Sequence, residues 1–129
     1  MKSLFALLAC ALLAGCTTAH SPKTISPADT DRQITLAVGQ VLVIELPGNP
    51  TTGYTWTAKK IDGDALTRLG DGVYKQNPAP ERMEGVGGVE TWKFQGAKAG
   101  RQTLRFEYAR SWEKDTAPAR VAAFEIVVQ

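Results

Sequence analysis

Histidine is almost missing from this chain: the single copy, His20, lies near the N-terminus. Cysteine occurs only at Cys10 and Cys16. The body of the chain therefore has no disulfide, no thiolate nucleophile and no Cys- or His-ligated metal site, and no His-based catalytic triad. Charge of one sign is also lacking. Lys and Arg number 15 and Asp and Glu 13, a formal +2, which gives no electrostatic reason to expect nucleic acid as a partner. No apolar run reaches the roughly 20 residues that span a bilayer. No window sustains apolar spacing at 3.6 residues, so helix is expected to be essentially absent.

What is present begins with an address. Met1-Lys2 is a short basic start, and Leu4 to Leu13 is apolar, the length of a secretory signal core. Leu13-Ala14-Gly15-Cys16 resembles a bacterial lipobox, in which the cysteine is lipidated and becomes the first mature residue. Thr17, rather than Asp, follows it, similar to the sorting pattern of outer-membrane lipoproteins. The expected organisation is a signal peptide over 1–15, the lipidated Cys16 and a Pro/Ser/Thr-containing tether over 16–32, and a domain over 33–129. The expected location is the cell envelope, as an outer-membrane lipoprotein facing the periplasm or the surface. Acyl chains would supply the signals that stable anchoring needs.

The remaining residues suffice for one core. Apolar and polar residues alternate through Ile34, Leu36 and Val38, then Leu42, Ile44 and Leu46, then Tyr54, Trp56 and Ala58. Trp92 and Phe94 alternate likewise, as do Leu104, Phe106 and Tyr108. The run Ala122, Phe124, Ile126 and Val128 is nearly continuous, as suits a central strand. Leu66 and Leu69 mark a weaker stretch, with Asp62 to Leu69 able to hold a helical turn instead, and Asp71-Gly72 turns the chain into Val73-Tyr74. Seven to eight short strands separated by turn signals predict an all-β, immunoglobulin-like antiparallel sandwich.

Three connections are richer than a scaffold requires. Asn49-Pro50-Thr51-Thr52-Gly53-Tyr54 combines a fixed φ, two stiff β-branched hydroxyl residues and a glycine. It reads as a rigid presenter of two threonines. Glu84-Gly85-Val86-Gly87-Gly88-Val89 concentrates glycine where ordering is entropically costly, which suits close approach by another backbone. It lacks the GK[ST] and following helix of a phosphate cradle. Arg110-Ser111-Trp112-Glu113 places an indole among charges, and Trp and Arg are typical interface anchors.

Taken in order, these three stretches resemble the chagasin family of inhibitors of papain-like cysteine proteases. Asn49 to Tyr54 matches its NPTTGY/F motif, Gly85-Val86-Gly87-Gly88 its GxGG motif and Arg110-Ser111-Trp112 its RPW motif. The resemblance implies a reversible inhibitor that plugs the protease cleft with three loops; beside it stand the expectations that the protein is no enzyme, needs no cofactor or metal and is a monomer. Thr51, supported by Thr52, would enter beside the catalytic cysteine. Gly87 and Gly88 would pair along the cleft backbone to backbone. Trp112 would pack on the far side, with Arg110 making polar contacts. Ser111 departs from the family's proline and frees that loop's backbone. Two rival readings stand beside this one: an outer-membrane lipoprotein binding another hydrolase such as lysozyme, or an envelope ligand; and an enzyme using a carboxylate pair among Glu81, Glu84 and Glu90.

Overall fold

The computed structural model describes residues 18–79 and 85–129. Cys16 and the segment before it, with Glu81 and Glu84, lie outside the described residues. Among the described residues there are nine strands: β1 Lys23–Ile25, β2 Gln33–Leu36, β3 Val41–Gly48, β4 Tyr54–Lys60, β5 Leu66–Arg68, β6 Val73–Gln76, β7 Gly88–Gly96, β8 Gly100–Arg110 and β9 Arg120–Val128. The only other regular elements there are 3-10 turns at Pro27–Asp29 and Pro50–Thr52.

The strands form two facing sheets. One runs β1-β3-β7, with both β5 and β6 on the far side of β7; the other runs β2-β9-β8-β4. Strict alternation on β3, β8 and β9 sends one face of each inward. Leu42, Ile44, Leu46, Leu104, Phe106 and Ile126 are each fully buried. Each such side chain contributes roughly 1.5–3 kcal/mol by leaving water. The immunoglobulin-like sandwich expected from the alternation is there, and β9 is interior to its sheet as expected.

Four expectations need correction. The sheets are mixed, because β1 pairs parallel to β3 and β2 parallel to β9. A parallel pair cannot be closed by a hairpin, and here the chain alternates between sheets from β1 to β2 to β3. Residues 23–32, expected to be part of a tether, pack onto the domain, since β1 pairs within a sheet, Ile25 is buried in the core and Asp31 N–H donates to the Ala123 carbonyl. Val38 does not share the inward face of Ile34 and Leu36. The strand stops at Leu36, the Gln40 side chain accepts from Ala37 N–H, and Gly39 takes φ +85°, leaving Val38 52% exposed. Asp62 to Leu69 forms no helical turn: it carries β5, held by the buried Gln102, whose amide accepts from Leu66 N–H and donates to the Ile61 carbonyl.

Candidate protein-docking site

Antiparallel register brings the three marked loops to one end. Gly48 at the close of β3 pairs with Gly88 at the start of β7, and Tyr54 at the start of β4 pairs with Arg110 at the close of β8. The Pro47 carbonyl joins the sheets beneath them, accepting from Trp56 Nε1 at 3.0 Å and from Arg120 Nη1 at 3.1 Å. Tyr54 stacks on Tyr108 with ring centroids 5.3 Å apart. The loops thus stand on an aromatic platform.

In the first loop Asn49 caps the 3-10 turn. Its Oδ1 accepts from Thr51 N–H at 3.2 Å and from the Thr51 hydroxyl at 2.6 Å. The Thr52 hydroxyl donates to the Asn49 carbonyl at 2.7 Å. Both threonines are exposed at the tip, and Pro50 is exposed beside them. Gly53 ends the turn at φ +82°, a conformation that non-glycine residues adopt only with strain. Asn49 N–H donates to the Tyr108 hydroxyl at 2.8 Å, which fixes the loop's base to the opposite sheet.

The same asparagine reaches the glycine loop, its Nδ2 donating to the Gly85 carbonyl at 2.7 Å. Gly85 is exposed with φ +73°, and the Gly87 carbonyl accepts from Asn77 N–H. Gly88 is different. It is buried within β7, with Gly48 on one side and Gln76 on the other. The sheet edge that Gly88 was expected to offer a partner is thus occupied by the chain's own strands, leaving residues 85–87, exposed at Gly85 and half-buried at Val86 and Gly87, as the accessible part of the motif.

The third loop leans on the first. Trp112 is 64% exposed, yet its indole lies over Gly53, where a Cβ would overlap the ring. Arg110 Nε donates to the Thr52 carbonyl at 3.0 Å, and its guanidinium stands 4.4 Å from the Tyr54 ring and 5.8 Å from the Trp112 ring. Its Nη1 pairs with Glu113 at 3.3 Å. Arg110 is therefore a strut between loops more than a free group at the surface. Glu113 N–H donates to the Arg110 carbonyl, so Ser111 occupies the second position of a closed turn, a place that suits proline and accepts serine.

The structure thus gathers Asn49 to Tyr54, Gly85, Gly87, Arg110 and Trp112 at one pole and assigns Gly88 to the sheet behind them. Sequence reasoning missed Tyr108 as part of the arrangement, and it missed Glu113 as the ion-pair partner of Arg110. The alternation marked Tyr108 as core, but nothing in it announced the hydroxyl's partner. Glu90, one of the carboxylates considered for catalysis, is half-buried and accepts from Trp92 Nε1 at 2.8 Å. Its desolvation raises its pKa, and the indole N–H opposes that rise. Among the described residues no group of acidic, His or Cys side chains is arranged to hold a metal.

A sandwich whose one end is three mutually braced loops, with exposed hydroxyls and an exposed indole at their tips, belongs to the class of loop-presenting protein binders. Residues 35–128 match the family described as Chagasin family peptidase inhibitor I42, and the chain belongs to the chagasin family of peptidase inhibitors. It is 28% identical over 92 residues to chagasin of Trypanosoma cruzi, covering 68% of this chain and 81% of that one. It is also 28% identical to amoebiasin-2 of Entamoeba histolytica over 94 residues, 73% of this chain and 75% of that protein. In fold it is similar to the crystal structure of a cysteine protease inhibitor from Entamoeba histolytica, with TM-score 0.74 and 24% identity over 84% of this chain and 96% of that one. As a member of an inhibitor family it is not an enzyme.

Proposed function

We propose that this protein is a reversible inhibitor of papain-like cysteine proteases that occludes the active-site cleft with its three loops. The observation that carries this reading is the bracing of the loops: Asn49 bridges to Gly85, while Arg110 and Gly53 bind the third loop to the first. Loops ordered before docking lose less entropy on binding. Thr51 and Thr52 enter beside the catalytic cysteine, Gly85 to Gly87 run along the cleft, and Trp112 covers the far wall. A threonine side chain meeting the nucleophile leaves no well-aligned peptide to be cut. Titration of the purified protein against papain tests this. Stoichiometric, reversible loss of peptidase activity is expected; full activity at excess protein overturns the reading.

We further propose that the chain is lipidated at Cys16, after a signal over 1–15, and is held as a monomer on the outer membrane. The lipobox-like sequence supports this. Incorporation of labelled fatty acid that is lost in Cys16→Ser is the expected result; labelling that persists in that variant contradicts it.

A further inference from the structure

Between the sheets, beneath the Asn49–Pro50 segment, lies a cavity of about 310 Å³. Its walls are largely aromatic, from Tyr54, Trp56, Tyr74 and Tyr108, and Glu90 is the one charged residue lining it. The volume sits at the lower end of the range for small-ligand sites, about 300–1,000 Å³.

Gly48 lines this space, and Gly72 and Gly88 stand beside residues of its walls; none of the three adopts positive φ. A Cβ on Gly48 would stand 3.2 Å from the Tyr108 ring and 3.4 Å from the Trp56 indole nitrogen. On Gly88 it would fall 2.7 Å from the Tyr74 ring, and on Gly72 it would fall 2.5 Å from Glu90 Oε1. At Gly48 and Gly72 the bareness makes room for Tyr108, Trp56, Glu90 and Trp92, the first three of which wall the cavity; at Gly88 the nearest atom is the Lys75 carbonyl oxygen, with the cavity-lining Tyr74 next.

Glu90 is placed unusually for a carboxylate. Tyr74 faces it across the β6–β7 ladder, and among the described residues its one side-chain donor is Trp92 Nε1 and it forms no ion pair. A half-buried carboxylate amid aromatic rings is the arrangement that recognises an organic cation, since the ring faces attract positive charge and need no hydrogen bond from it. The surrounding rings already receive cations from this chain: Arg110 lies over Tyr54, and Arg120 lies 5.4 Å from Trp56 and 5.6 Å from Tyr108. Neither arginine lines the cavity. Their charge opposes a second cation, and the Glu90 carboxylate is the group that offsets it.

We propose that this cavity binds a small organic cation, a quaternary or alkylated ammonium group, between the tyrosine and tryptophan rings and the Glu90 carboxylate. The proposal is independent of the inhibitory reading. The test is calorimetric titration of the full-length protein with choline and with dimethylbutanol, its uncharged carbon isostere, with tryptophan fluorescence as a second readout. Saturable one-site binding of choline is expected, with the alcohol at least about tenfold weaker. Glu90→Gln should weaken choline by about tenfold or more and leave the alcohol unchanged. Equal binding of the two probes would make this an apolar cleft only and overturn the proposal. So would absence of saturable choline binding, or an unchanged constant in Glu90→Gln. Should that variant not fold, Tyr74→Ala on the edge strand serves in its place; a loss of about tenfold in choline binding is expected, and an unchanged value refutes the site.

Discussion

Trp112, Gly88 and Glu90 separate binding, packing and electrostatics at the level of single side chains. Trp112 is 64% exposed, so truncation removes little internal packing. Trp112→Ala is expected to weaken inhibition by about 2 kcal/mol or more, the size of an interface hot spot, while the melting temperature hardly moves. A matching loss of stability would make the indole a structural residue. Gly88 behaves in the opposite way. A Cβ there would run into the Lys75 carbonyl and the Tyr74 ring. Gly88→Ala should therefore cost about 1–3 kcal/mol of stability through overpacking. The inhibition constant of the folded fraction should not change, and weakened inhibition at unchanged stability would instead return Gly88 to the contact surface.

Glu90 carries the pH dependence. Burial raises its carboxyl pKa above the ordinary glutamate value, with the Trp92 N–H opposing. Across the window between the unfolded and the raised folded value, the native protein holds a proton that the unfolded chain has released. Stability contributed by this group therefore falls as pH rises through that window and is level above it. Glu90→Gln keeps an acceptor for Trp92 and removes the buried charge. The variant should melt higher than the parent at neutral pH, and the gap should close on acidification below the ordinary glutamate range. A gap that is constant with pH would mean that the charge at Glu90 is not what burial penalises.

At the scale of elements, the loops are coupled through Asn49, and one substitution divides its two roles. Asn49→Asp retains the acceptor for Thr51 N–H and the Thr51 hydroxyl but loses the donor to the Gly85 carbonyl. The expected outcome is about a tenfold weaker inhibitor, roughly 1.4 kcal/mol, with little change in melting temperature. Undiminished inhibition would show that the first loop and the glycine loop act separately. The identity of these loops was legible because each combines residues with restricted or unusual backbone preferences. Their bracing was not, since the bonds from Asn49 to Gly85 and to Tyr108 join positions 36 and 59 residues apart. The long strands were legible by alternation. Lys23–Ile25 was not, because three residues between Pro22 and Pro27 hold no periodic pattern, and their strand character depends on parallel pairing to β3. Leu66–Arg68 was only weakly marked by Leu66 and Leu69, because it is a strand by virtue of β7 and the Gln102 clamp.

The whole molecule has two poles. Lys23 pairs with Leu42 near the start of β3, and Ser21 accepts from Gln40 Nε2, whereas the first loop follows the far end of that strand at Gly48. At about 3.3 Å per residue, β3 separates the N-terminal entry from the loops by roughly 23 Å. The C-terminus returns to the same distant pole, with Val128 beside Leu36 and Gln129 N–H donating to the Leu36 carbonyl. An attachment through the N-terminal segment therefore directs the three loops away from the surface that holds it. Protein immobilised through its N-terminus, on a bead or on a bilayer, should bind papain with an association rate within about twofold of the free protein, because steric access and loop order are the same in both. Attachment at the opposite pole, through a handle inserted at Pro50, should abolish binding. If N-terminal immobilisation alone slowed association by about tenfold or more, the surface that meets the protease would have to lie near β1 and the Ala37–Gln40 turn, and the three-loop plug would be the wrong docking surface.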